Sequence, residues 1–212
     1  MKRDMNLVLG CLMAAGAVLV VGCGGEEAGT PAPTGIESQV NPLEASGMVE
    51  FFVKIVGTKT GAFKGESVSK GFEGSIPAIR YYSELNSPTP GPVQCTAFQF
   101  TKAAGISSPL LAKAIANGEI LKSVHMDFVR GGGTPFIWQT IDLTGMRVSK
   151  LEQAVAPPAD LAASAILEEV TLVPTSIAVA KVTITAIPQL PTGAAGPSIP
   201  ATFTCGNGAS TP

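Results

Sequence analysis

The apolar positions of this chain change period twice within one stretch, Phe98 to Arg130. Phe98 and Phe100 alternate with Ala97 and Gln99, the period of a half-buried strand. Ser108 then stands as a candidate N-cap, with Pro109 at the first helical position, where its missing N–H costs nothing. Leu110, Leu111, Ala114 and Ile115 follow at helical spacing, with Lys113 and Asn117 off the stripe. Gly118 falls where a left-handed residue closes a helix. Alternation then returns, with Ile120, Lys122, Val124, Met126 and Phe128 on one face and Leu121, Ser123, His125 and Asp127 on the other. Beyond the N-terminal segment this is the one good helix signal, so the helix is expected to plug or flank a β core.

The rest reads as strands and turns. Strands are expected over Met48–Ile55, Ser75–Leu85, Val93–Thr101, Ile120–Val129, Pro135–Leu143, Met146–Val155, Ser164–Val173 and Ile177–Ile187. Between them lie the glycine-rich Gly57–Gly74 loop, the Asn86–Pro92 cluster where proline forbids ladder pairing, the Gly131–Gly133 turn, Thr144-Gly145 and the Ala156–Ala163 loop. Short strands at regular spacing predict a mainly β fold, a single antiparallel barrel or sandwich of about eight strands with one short flanking helix. Closure would remove the exposed edges that a weakly charged chain defends poorly. Phe128, Phe136 and Trp138 read as core aromatics. From Pro188 to Pro212 no period survives, and an irregular tail is expected.

The first 47 residues have a different character. Lys2 and Arg3 precede an apolar run from Leu7 to Val21, and a small residue, Gly22, precedes Cys23. That is the layout of an export signal, residues 1–22. Val20-Val21-Gly22-Cys23 resembles the bacterial lipobox, which implies cleavage before Cys23 and lipid, palmitate included, on the Cys23 thiol. The run is too short and interrupted for a lasting span, which needs about 20 residues. Residues 23–47 are small, polar and proline-bearing, and read as a flexible tether. The absence of Asp after Cys23 points to the outer membrane, by analogy with lipoprotein sorting. The folded body is then residues 48–187, followed by the tail 188–212.

Composition narrows the function classes. The 212 residues carry a formal charge of −2, and loss of residues 1–22 leaves 12 basic against 15 acidic groups. Without a clustered basic face, nucleic acid is excluded as a partner. Charged residues are only 14 %, while glycines number 24 and prolines 17, which suits an all-β body rich in turns. Cys11 leaves with the signal and Cys23 is the lipid site. Cys95 and Cys205 remain, an even pair in an oxidising compartment. Bridged, they would close a loop of roughly 110 residues, worth about 4–5 kcal/mol on the chain-entropy model. The alternative is two unpaired thiols.

Several segments, in order, carry a resemblance. "FTK" at Phe100–Lys102, then "SSPLL", "NG" and "MDFVR", resemble the tube protein of the type VI secretion system, the haemolysin-coregulated protein (Hcp) family. "FFVKIVGTKTGAFKGES", Phe51 to Ser67, resembles its opening strand and turn, and "LEEVTL", Leu167 to Leu172, its Glu-bearing late strand. The likeness covers residues 48–187. It implies a barrel subunit that self-associates into hexameric rings, which stack into a tube and take a secreted effector in the lumen. It also implies that Gly57–Gly74 reaches a neighbouring subunit; the other reading is a mobile surface loop. Tube proteins of the family are built in the cytoplasm and lack a signal, whereas a lipoprotein precursor crosses the inner membrane unfolded. Either translation starts at Met48 and the product is cytoplasmic or secreted, or this copy is exported. Exported, it would hang from the outer membrane, in the periplasm or at the cell surface, as a tube-like subunit or a binding or adhesion module.

No enzyme chemistry is predicted. His125 and Asp127 share a strand face, but a metal site needs three or four ligands and a triad needs a nucleophile at a strained turn. No such set stands in the sequence, so no catalytic, cofactor or metal residues are assigned. Gly131–Gly133 is no phosphate loop, because no Lys-Ser/Thr follows. Glu168 and Glu169 point to opposite faces of a strand. The inward one reads either as a polar contact at a subunit interface or as a solvated charge.

Overall fold

Alternation in strand β1, Phe51–Gly57, buries Phe51, Val53 and Ile55 on one face. A computed structural model describes residues 51–87, 93–130, 136–155, 166–176 and 180–205. All of these lie in one compact unit, Ser38–Pro212. The signal 1–22, Cys23, the tether, Gly131–Gly133 and Ala156–Ala163 lie outside the described residues.

After β1 come β2 (Gly61–Ala62), β3 (Ile76–Asn86), β4 (Gln94–Ala103), helix α1 (Ser108–Ala116), β5 (Ile120–Arg130), β6 (Phe136–Thr144), β7 (Met146–Val155), β8 (Ile166–Pro174), β9 (Lys181–Ala186) and β10 (Ile199–Thr204). Antiparallel pairing runs β5-β7-β8-β4-β3-β1, and β1 pairs back onto β5, which closes a barrel. The seam between β5 and β7 is short: Ile120 faces Arg147 and Leu121 faces Met146. A second run leaves the barrel from β5, in the order β5-β6-β9-β10.

One bend produces both runs. β6 and β7 are separated by Gly145 alone, at φ 67. The left-handed conformation favours glycine, and it turns one long strand from the outer run into the barrel. Thr175 holds the bend, donating its N–H and its hydroxyl to the Gly145 carbonyl at 2.9 and 2.7 Å.

All eight strands expected from alternation are present. The two-residue β2 and β10 are additional. β10 corrects the expectation of an irregular tail: Ile199 to Thr204 pairs residue by residue with β9, from Ala186 back to Lys181. Its sequence, IPATFT, is uncharged and contains a proline, so its intrinsic strand signal is poor. The neighbouring strand edge supplies the pairing that local pattern does not.

The core is continuous inside the barrel. Phe51 stacks on Phe128 with centroids 4.7 Å apart, and Tyr81 meets both rings edge-on. Phe98, Phe100, Leu121, Met126, Ile141, Leu143, Val170 and Leu172 are fully buried around them. α1 packs against β7 and buries Leu111 and Ala114, with Leu110 and Ile115 against the core. Its cap is Ser107, one residue before the expected Ser108. At its other end Gly118 has φ 54, and the Gly118 and Glu119 N–H groups donate to Ile115 and Ala114, which closes the helix as a Schellman turn.

Two expectations about faces need correction. In β5, Leu121 is buried while Ile120 and Lys122 are exposed. The β1–β5 register shifts between Val56 and Gly57, so a bulge reverses the phase of the first residues of β5. Trp138 is not a core aromatic, being 37 % exposed, and Phe136 is half-buried. The β5–β6 register shifts between Phe128 and Val129, and Trp138 is the extra residue. Its ring still touches the rim of the core through Phe128, with Arg130 5.9 Å from its centre.

The Gly57–Gly74 segment is packed on its own barrel. Phe63 and Phe72 are buried, and Phe72 stacks on Phe52 at 4.1 Å. Gly65 allows the close approach, because a Cβ there would collide with the backbone of Ser75.

Candidate functional site

Two polar constellations stand out among the described residues, one sealed inside the fold and one on the outer face. The sealed one sits at the N-terminus of α1. Lys102, at the end of β4, is fully buried, and its Nζ donates to Glu168 Oε2 at 2.8 Å, Ala103 O at 2.6 Å and Ser108 Oγ at 3.1 Å. Glu168 comes from β8, placed by the pairing of Lys102 with Glu168 across the β4–β8 ladder. It accepts further bonds from Ser108 Oγ at 2.7 Å and Gln153 Nε2 at 2.7 Å. Glu66, from the docked loop, accepts from Ser107 N–H and hydroxyl at 2.8 and 2.7 Å, and stands 3.8 Å from Lys102.

Burial alone would raise the Glu168 pKa. The bonds from Lys102, Ser108 and Gln153 and the Lys102 charge outweigh it, and the carboxyl is held below its ordinary range. The cluster thus ties β4, β8, β7, the loop and the helix start at one point. Glu168 is the inward member of the Glu168-Glu169 pair, and its partner is an intrachain lysine. Neither a subunit contact nor a solvated charge describes it.

The second constellation follows from register. Lys54, His125 and Asp142 are directly paired across β1, β5 and β6. His125 Nδ1 lies 2.6 Å from Asp142 Oδ1, and Nε2 lies 2.8 Å from Asp127 Oδ1. The Asp127 bond leads in raising the histidine pKa; burial opposes, Asp142 adds, and the result is about 9. At neutral pH the ring is an imidazolium donating from both nitrogens. Burial would raise the Asp127 pKa, but His125 and Lys54, the latter at 3.5 Å, hold it low. A charged His with both nitrogens occupied cannot act as a base. The His125–Asp127 pair is therefore brought together, but as an ion cluster.

The row continues outward as Thr183 and Thr202, whose hydroxyls are 2.9 Å apart. Among the described residues no group of three or more His, Cys, Asp or Glu is arranged to hold a metal. Nor is any described helix long and apolar enough to cross a membrane. Sequence reasoning found His125, Asp127 and Glu168. It missed Lys54, Asp142, Lys102 and Gln153, which strand register makes neighbours, and Glu66, which the docked loop brings in; Ser108 it read only as a helix cap.

Cys95 is the second residue of β4 and Cys205 follows β10. Both are buried, and they form a disulfide with their Cα atoms 5.3 Å apart. Cys205 N–H also donates to Ala180 O at 3.0 Å. The bridge joins the last strand of the outer run to the barrel. Cys23 lies outside the described residues.

Comparison with known proteins adds the following. Residues 52–180 match the family model described as "Type VI secretion system effector, Hcp". No curated protein sequence matches the chain. Among solved structures, Hcp1 from E. coli EAEC 042 is similar at 23 % identity, with a TM-score of 0.58 over 74 % of this chain and 99 % of that one. Hcp3 from Pseudomonas aeruginosa matches at 20 % identity and TM-score 0.55, over 74 % and 98 %. A type VI secretion system effector from Yersinia pestis matches at 18 % identity and 0.56, over 73 % and 99 %. At such identities the structural likeness speaks for the fold.

Proposed function

The chain belongs to the Hcp family of type VI secretion system effectors, and from that premise we propose that it is a non-catalytic structural subunit that forms hexameric rings. The observation that supports this most is the family match, which runs from β1 to the start of β9 and so covers the whole closed barrel. A ring subunit needs complementary side surfaces and a rigid body, and no active site. The barrel supplies the rigidity. Exposed apolar side chains, Ile106 and the paired Val155 and Ile166, suit contact with a neighbour. A secreted effector in the ring lumen completes the reading.

Export as a lipoprotein is the second part of the proposal, resting on the Lys2-Arg3, Leu7–Val21, Gly22-Cys23 layout. Lipid on Cys23 would hang the body from the outer membrane by residues 23–47. An exported chain cannot join a tube built in the cytoplasm. The same layout therefore favours a second reading, a periplasmic or surface binding module that reuses the barrel.

Sedimentation of the chain from residue 23, with Cys23→Ser, tests the ring. A hexamer is expected, and a monomer at high concentration would leave the binding module. Palmitate labelling of full-length protein tests the anchor. Label is expected on the parent chain and absent from Cys23→Ala, and equal labelling would remove the lipoprotein claim.

A further inference from the structure

We propose that the Cys95–Cys205 disulfide is a redox latch on strand β10: oxidised, it keeps β10 seated on the edge of β9, and reduced, it lets β10 leave. This goes beyond ring assembly and stands whether or not the chain forms rings.

The argument starts from how little else holds β10. Ile199, Pro200, Ala201, Thr202 and Thr204 are exposed, and Phe203 is half-buried. The strand carries no charged residue, and Pro200 has no N–H to give. Its described attachments are the ladder to β9, the Thr183–Thr202 hydroxyl bond and the half-buried Phe203, its one side chain against the core. A strand with so few buried contacts sits at the low end of local stability. One residue later the picture reverses. Cys205 is fully buried, bonded through its N–H to Ala180, and joined to a cysteine 110 residues earlier in sequence. β4 and β10 are not neighbours in the strand order, so the bridge spans between sheet regions that ladder bonds leave apart.

β9 does not depend on β10 in the same way. It pairs with β6 from Lys181 to Ala186 on its other edge. Release of β10 would leave β9 in place with an unpaired edge, which is a template for strand addition. In the chemical step a dithiol passes two electrons and two protons to the S–S bond. Two cysteine thiols form, and the dithiol closes to its own disulfide. Because both cysteines are buried, a dithiol reaches them during brief local openings around Cys205, and reduction then makes the release of β10 lasting.

Hydrogen exchange read by mass spectrometry tests this on the full-length chain in detergent. The oxidised protein is compared with protein reduced by dithiothreitol and with the Cys95→Ser/Cys205→Ser variant. Reduction is verified by the mass gain of two hydrogen atoms. Amides of β10, and those of β9 that face it, are expected to exchange up to about 1,000-fold faster in both open forms, the upper scale set by releasing a loop of this length. Amides of β1 and β5 are expected to keep their protection. Unchanged β10 and β9 protection in both open forms would overturn the latch. So would a loss that spreads through β1 and β5, since the bridge would then be a general stabiliser.

Discussion

Lys102→Met is the sharpest test of how the fold is held at the helix start. Both side chains of the Lys102–Glu168 pair are fully buried, with Nζ and Oε2 2.8 Å apart. At an effective dielectric near 20 that contact corresponds to roughly 6 kcal/mol of attraction, largely offset by the cost of removing both charges from water. Methionine fills nearly the same volume, so packing changes little. What remains is a buried Glu168 carboxylate with only Ser108 and Gln153 donating to it. Breaking a buried pair in this way costs about 3–5 kcal/mol. Glu168→Gln should cost less, because Lys102 keeps the Ala103 carbonyl and stands 3.8 Å from Glu66. Lys102→Met/Glu168→Leu should return to within about 2 kcal/mol of the parent, since an apolar replacement of both partners is often near neutral. Urea denaturation of the chain from residue 23, with Cys23→Ser and the disulfide intact, measures all four forms. The pH dependence adds a signature. In the parent, Glu168 has a lowered pKa, so its contribution is present above the unfolded carboxylate range and fades as pH falls. In Lys102→Met burial is no longer outweighed and the folded pKa rises, so stability should increase on acidification. A single-variant loss under about 1 kcal/mol, or a double variant no better than Lys102→Met, would refute this account of the cluster.

The remaining predictions are briefer. Gly65→Ala should destabilise by about 1–3 kcal/mol in a thermal melt, because the new Cβ meets the Ser75 backbone, which has no flexible end to yield; an unchanged melt would mean the loop docks more loosely. His125 has a folded pKa raised from its usual 6.5 to about 9, so its contribution is complete below about pH 6.5 and disappears as pH climbs through 9. With allowance for solvent around a ring about one-third exposed, roughly 1 kcal/mol should be lost over that window, and Asp127→Asn should flatten the loss. Identical pH profiles for parent and variant would argue against the ion cluster.

Sequence by itself determined the skeleton. Alternation marked eight strands, and the Ser-Pro start and the Gly118 stop marked α1, because each signal is local to a few residues. It also delivered the family, through motifs lying along β1, β4, α1, β5 and β8. Tertiary structure alone decided which residues meet. Lys102 with Glu168, and His125 with Asp142, are set by strand register, which no local pattern encodes. The bulges that reverse the first residues of β5 and move Trp138 out of the core are likewise products of pairing. β10 is the extreme case: its own residues carry almost no strand signal, and it is a strand because the edge of β9 offers a ladder and Cys205 has a partner to reach.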